Sequence, residues 1–207
     1  MYARSTTINA APASVDAGIA QVRDEVMPML LDLDGCIGLS MIVDRESGRC
    51  IATSAWQSEE AMRASDEALR PVRERIAESM GGSGPQVQEW EIAVLHRMHN
   101  APEGACARVI WIQGDPARME DATSTMRTVM LSKLEELPGF CSVSMLVDRA
   151  TGRGVTAAVY DSRDAMARAA DRAKSLREDF TREMGMEITE VAEFELALAH
   201  LRVPETV

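Results

Sequence analysis

The sequence predicts an α+β protein made of two tandem βαββαβ units whose antiparallel sheets pack together into a barrel within a single chain. Three observations lead there. The first is an internal repeat: the segment from Gly35 to Arg49, with its Ser-Met-Ile-Val-Asp-Arg-Glu-Ser-Gly-Arg run, returns from Gly139 to Arg153 as Ser-Met-Leu-Val-Asp-Arg-Ala-Thr-Gly-Arg, an offset of 139 − 35 = 104. The register holds without a gap, with about 28 identities over roughly 96 aligned positions, well beyond chance for a fixed offset. The second is that each copy alternates runs of period two with runs of period near 3.6 in one order, β-α-β-β-α-β. The third is size. A unit of about 100 residues with both helices on one face of its sheet leaves the other face bare, and a second copy is what can cover it.

Each element follows from local chemistry. Arg4 to Asn9 and Arg108 to Gln113 alternate as strands do. Val15, Ile19, Val22, Val26, Leu30 and Leu33 recur at spacings of three and four, which marks an amphipathic helix that starts after Pro12 and stops at Gly35. Pro28 is expected to bend it. The matching helix of the second copy ends at Pro138-Gly139. Ile37 to Val43 and Ile51 to Trp56 flank a Gly-containing turn and read as a hairpin. Ser58 is an N-cap candidate for a second helix ending at Met80-Gly81, and a last strand runs from Val87 to about Arg97. This split βαβ order is the ferredoxin-like arrangement. The repeats occupy residues 1–99 and 106–207, joined by a Pro/Gly-containing linker at 100–105.

Composition limits the partners. Of the 207 residues 46% are hydrophobic and 27% charged, enough apolar material for a real core. The net charge of −11, with no Lys/Arg-rich run, repels nucleic acid and anionic membranes, so neither is an expected partner. No segment approaches the roughly 20 apolar residues of a membrane span and the N-terminus has no signal-like apolar stretch, so the cytoplasm is the default location. Cys36, Cys50, Cys106 and Cys141 form no CxxC pair, and neither a disulfide nor a metal site is assigned to them.

Strand alternation divides each sheet into two faces. Ile37, Leu39, Met41, Val43, Trp90, Ile92 and Val94 are expected under the helices, with Cys141, Val143, Met145, Val147, Phe194, Leu196 and Leu198 in the second copy. The opposite parity is mixed: Ser5, Thr7, Asn9, Ser40, Ser54, Trp56, Glu91 and Ala93, then Val109, Trp111, Gln113, Ser144, Ala158, Tyr160, Glu195 and Ala197. Small polar residues with a few aromatics and amides leave volume, flat walls and sparse orienting groups, as a pocket in a barrel mouth requires. The substrate-binding candidates on this face are Thr7, Ser40, Ser54, Glu91, Trp111, Gln113, Ser144, Tyr160 and Glu195; the other reading is two sheets meeting with water between them.

Glu91 and Glu195 are repeat-equivalent, and two facing carboxylates would raise one another's pKa into an acid/base pair. Strand ends reaching solvent explain them more cheaply. His96 and His200 are equivalent too, but without a third ligand they are a weak metal signal. The methionines on the first helices, Met27, Met29, Met126 and Met130, have core spacing. The Gly81–Gly84 run precedes a strand, so it is a connection and no phosphate cradle.

The stretch Pro138-Gly-Phe140 followed by Val-Asp-Arg-Ala-Thr-Gly-Arg153, together with Trp56-Gln-Ser-Glu-Glu-Ala-Met62 at a strand-to-helix junction, resembles the antibiotic biosynthesis monooxygenase family of the dimeric α/β-barrel superfamily, once per repeat. In that family two chains usually build the barrel. The resemblance implies oxidation of a small aromatic or quinol-like compound by oxygen with no metal or flavin cofactor, in a pocket between the sheet and the first helix. It also implies catalytic roles for Trp56 and Asn9, whose counterparts here are Tyr160 and Gln113. The second helices contain neither the histidine nor the tryptophan of the haem-degrading branch, which argues against haem. Thr7 against Trp111 adds to the asymmetry between copies, so at most one pocket is expected to function. The alternative is a non-catalytic, ligand-binding or stress-responsive barrel. A homodimer of the two-repeat chain, through strand edges or helices, is compatible with the sequence but not derivable from it.

Overall fold

The computed structural model describes residues 1–82, 84–201 and 204–205, without the side chain of Leu201; Ser83 of the Gly81–Gly84 connection lies outside the described residues. The first repeat runs β1 (Tyr2–Asn9), α1 (Val15–Gln21), α2 (Met27–Leu31), β2 (Cys36–Val43), β3 (Arg49–Trp56), α3 (Glu59–Ala64), α4 (Asp66–Ser79) and β4 (Gln86–Arg97). The second runs β5 (Cys106–Gln113), α5 (Met119–Thr125), α6 (Leu131–Glu135), β6 (Phe140–Asp148), β7 (Arg153–Tyr160), α7 (Arg163–Arg168), α8 (Ala170–Met184) and β8 (Glu187–Leu201). Hydrogen-bonded neighbours follow the order β1-β3-β2-β8-β5-β7-β6-β4, which closes into a barrel. Within each repeat this is the ferredoxin-like order, so the predicted α+β class and topology hold. No helix among the described residues is long and apolar enough to cross a membrane.

The compact units do not follow the repeat boundaries of 1–99 and 106–207. Unit 1 is Met1–Trp90 with Glu195–Val203, and unit 2 is Glu91–Phe194 with Pro204–Val207. The physical cause is strand length. β4 and β8 outlast their own sheets, so the end of β8 pairs antiparallel with β2 (Ser40 opposite Ala199) and the end of β4 pairs antiparallel with β6 (Leu95 opposite Ser144).

Each unit has its own core between sheet and helices. That of unit 1 gathers Leu39, Met41, Val43, Trp56, Met62, Val72 and Met80; that of unit 2 gathers Met119, Met126, Val143, Met145, Tyr160, Met166 and Phe180. Ser58 caps α3 by accepting from Ala61 N at 3.1 Å and Ser162 caps α7 by accepting from Ala165 N at 3.2 Å. The second helix of each repeat is not continuous: it breaks at Ser65 and at Ala169. Pro28, where a bend is expected, stands in the first turn of α2, and the interruption of the helix comes before it. A π-helical segment, Val22–Val26, separates α1 from α2, and Met126–Met130 does the same in the second repeat, where the residue equivalent to Pro28 is Ser132. In the β2–β3 turn Gly48 has φ 77, and a Cβ there would lie 2.0 Å from the Ala10 carbonyl oxygen, so only glycine fits.

Candidate functional site

The pocket lies in unit 1, on the helix side of the sheet. Its walls come from β1 (Arg4, Thr6, Ile8), β2 (Leu39), β3 (Ala52, Ser54), the first-helix region (Val22, Val26, Leu30) and α4 (Leu69, Val72, Arg73, Ile76). The cavity is about 60 Å³, within about 550 Å³ of empty space that opens to solvent. The walls are largely aliphatic, with two guanidinium groups among them.

Those two arginines are held differently. Arg4, only 2% exposed, donates from Nε and Nη2 to Glu89 Oε1 at 3.1 and 2.7 Å, and from Nη1 to Ser65 Oγ at 2.9 Å. Arg73 donates from Nη2 to Asp66 Oδ1, while its buried Nη1 has no hydrogen-bond partner among the described residues. An unsatisfied buried donor costs about 1–3 kcal/mol, which an acceptor arriving in the pocket would recover. Asp66 also accepts from Arg70 at 2.7 Å, and the Arg70 and Arg73 guanidiniums hold its carboxyl down at about 2. It is an anchored anion and no proton acceptor near neutrality.

The second repeat has larger side chains at the equivalent positions. The equivalents of Val22, Val26 and Ile76 are Met126, Met130 and Phe180, all buried in the core of unit 2, and Ile110 packs against that core where the first repeat has Thr6. Larger and more apolar side chains thus stand in the second repeat at positions that line the pocket of the first.

Of the residues expected at a site, Ser54 alone lines this pocket; Asn9 is exposed at the end of β1, and Trp56, opposite Tyr2 at the other end of that strand, is fully buried with its indole Nε1 donating to Ser54 Oγ at 3.0 Å. The expected facing of β3 and β7 is corrected. The hairpin register sets Ser54 opposite Leu39 and Ala158 opposite Val143, which turns Ser54, Trp56, Ala158 and Tyr160 toward the helices. Both parities of β3 contain apolar residues, so its alternation left the phase undetermined. Trp90 and Phe194 are reversed in the other direction: Trp90 Nε1 donates to Ser5 Oγ at 2.9 Å, and Phe194 meets Trp111 edge-on at 6.4 Å. Thr7 and Ser40 stay on the face away from the helices, as Ser144 does opposite Ala157; exposed Gln113 donates to the Thr151 carbonyl at 2.8 Å.

The two glutamates form no acid/base pair. Glu91 accepts from Arg149 Nε and Nη2 at 2.6 and 2.9 Å within unit 2, and Glu195 accepts from Arg45 at 2.7 and 3.0 Å within unit 1. The Arg149 guanidinium lowers the Glu91 pKa, the reverse of what facing carboxylates would do. His96 sits with Nε2 2.8 Å from Glu135 and Nδ1 3.4 Å from Glu205, so it joins a charged cluster. The His200 Nε2 is buried without a partner among the described residues.

All four cysteines are free thiols. One of them, Cys141, converges with His99 and Asp161, the one group of potential metal ligands among the described residues. Burial, then the Asp161 carboxylate, pushes the Cys141 thiol up to about 12.

The arginines were the missed signal. Arg4 and Arg73 each sit at a helix–sheet position in an otherwise apolar pattern, and each recurs at the repeat equivalent, as Arg108 and Arg177. A charge retained in both copies on the buried side of an element marks a position where a cation is needed, because an unpaired one would be costly there.

By fold, the chain is an antiparallel α+β barrel built from two ferredoxin-like repeats. It resembles a monooxygenase candidate from Lactobacillus acidophilus NCFM at TM-score 0.68, with 11% identity over 97% of this chain and 96% of that one. An anthrone oxidase-like protein superposes at TM-score 0.65, with 12% identity over 97% and 90%. No family model matches. In sequence, the uncharacterized protein Rv2558 of Mycobacterium tuberculosis H37Rv is 56% identical over 100% of this chain and 88% of its own length, and Rv2557 of the same strain is 53% identical over 100% and 92%. The chain belongs to the family of these two mycobacterial proteins.

Proposed function

We propose that the protein is a cofactor-independent oxygenase of a small aromatic or quinol-like compound, bound in the pocket of unit 1 with an acidic hydroxyl toward Arg73. The observation that carries this reading is the aliphatic pocket with a buried, unsatisfied guanidinium nitrogen in its wall. Such a site favours an apolar molecule with one anionic oxygen. The fold it shares with monooxygenase-like and anthrone oxidase-like proteins supports the chemistry.

For an anthrone-like substrate the net reaction consumes one ring methylene and one dioxygen and yields one ring carbonyl and one water. The ionised hydroxyl delocalises charge onto the reacting carbon, which gives one electron to oxygen; recombination forms the C–O bond of a peroxide, and loss of water leaves the carbonyl. Arg73 stabilises the oxyanion, and the first proton leaves through the open mouth of the pocket, since no neutral base lies among the lining residues. Asn9 and Trp56 have no contact with substrate in this reading; Trp56 orients Ser54.

The missing base is also what favours the second reading, a binding protein without turnover. Oxygen consumption with a panel of anthrones, quinols and phenols, on chelator-treated protein, separates the two. Turnover that falls at least tenfold in Arg73→Leu supports the oxygenase. Ligand-induced thermal stabilisation without oxygen uptake, also lost in Arg73→Leu, supports the binder. Binding unchanged in Arg73→Leu overturns both.

A further inference from the structure

We propose that His99, Cys141 and Asp161 form a binding site for one divalent ion of the zinc class, separate from the pocket of unit 1. Their ligand atoms all lie within 4.8 Å of one another. Cys141 Sγ is 3.2 Å from Asp161 Oδ1, and His99 Nε2 is 3.7 Å from the same oxygen. A tetrahedral zinc site with ordinary Zn–S, Zn–N and Zn–O bonds has ligand-to-ligand edges of about 3.4–3.6 Å. Two of the three edges, at 3.2 and 3.7 Å, are therefore close to those of such a tetrahedron, and its fourth corner would be free for water or an exogenous ligand.

The backbone fixes this convergence. Met98 N donates to Cys141 O at 2.8 Å, which puts His99 beside the start of β6, and Asp161 N donates to Gly139 O at 2.8 Å, which puts the end of β7 there too. The histidine is oriented as a metal ligand would be. Its Nδ1 lies 3.1 Å from the Asn100 carbonyl oxygen, which can only accept, so Nδ1 donates there and Nε2 is the ring atom that faces the Asp161 carboxylate. The two atoms stand 3.7 Å apart, near the separation of two ligands of one ion.

The charges close as well: a thiolate, a carboxylate and a neutral imidazole balance one divalent ion. The other reading, a nucleophilic cysteine, fits less well because the group touching sulfur is a carboxylate and not the histidine, and a neighbouring negative charge opposes thiolate formation. Nor is the cluster a by-product of duplication. Ile37 and Gln57 stand at the positions equivalent to Cys141 and Asp161, so the first repeat has no counterpart.

The test is titration of the untagged, chelator-treated chain with Co²⁺, followed by displacement with Zn²⁺. One equivalent is expected, with a thiolate-to-cobalt charge-transfer band that Cys141→Ser abolishes and Cys106→Ser keeps. His99→Ala and Asp161→Asn change half-exposed side chains in a folded protein and are expected to weaken binding at least tenfold. Absence of the charge-transfer band at millimolar Co²⁺, or affinity unchanged in both His99→Ala and Asp161→Asn, overturns the proposal.

Discussion

Giving the first repeat the second repeat's own residues, in the triple substitution Val22→Met, Val26→Met and Ile76→Phe, tests whether the pocket is real space. These side chains already pack at 126, 130 and 180 around a backbone of the same topology. Cavity volume is worth about 24 cal/mol per Å³, so eliminating 60 Å³ yields at most about 1.4 kcal/mol of added stability. For a chain of this length that corresponds to a rise of about 3–6 °C in Tm. Because the space opens to solvent, the gain falls below this ceiling. Urea denaturation measures it, and the same variant is expected to lose binding of apolar anions. A destabilisation greater than about 1 kcal/mol, the signature of overpacking, would show that the space is not there and refute the comparison between repeats.

Three further outcomes follow from the charges and caps. Glu89→Gln leaves Arg4, 2% exposed, without its main counter-ion and is expected to cost about 3 kcal/mol in urea denaturation; a loss under about 1 kcal/mol would show that Ser65 and Asp66 suffice. The Asp66 carboxyl is depressed to about 2, so its contribution is complete above the ordinary carboxylate pKa near 3.8 and disappears as pH falls from about 4 to 2. With partial exposure this amounts to at most about 2 kcal/mol, and Asp66→Asn is expected to flatten the stability profile in that window. Ser58→Ala and Ser162→Ala each remove an N-cap, at about 1 kcal/mol apiece; equal midpoints for parent and variants would exclude a capping role.

The fold was legible because it rests on patterns that repeat. The 104-residue offset, the Ser caps and the turn glycines are each local and each appear twice, so they name the elements and their order. The site was less legible for two physical reasons. β3 and β7 have apolar residues in both phases, so alternation could not tell which side Ser54, Trp56 and Tyr160 face; only the hairpin register decides, and it depends on turn geometry. The other reason is distance. Arg4 and Arg73 meet through Asp66, and His99, Cys141 and Asp161 meet through strand ends, across separations for which no spacing rule exists.

The difference between Val22, Val26 and Ile76 in one repeat and Met126, Met130 and Phe180 in the other has a further consequence. In a symmetric assembly of identical chains every substitution is written twice, so a mutation that closes one chamber closes both, and stability and ligand capacity are forced to compete in each subunit. Two halves in one polypeptide escape that coupling. One half can harden into core while its twin keeps a vacant chamber, so a thermally robust anchor and a ligand-ready partner can be selected independently from what began as the same sequence.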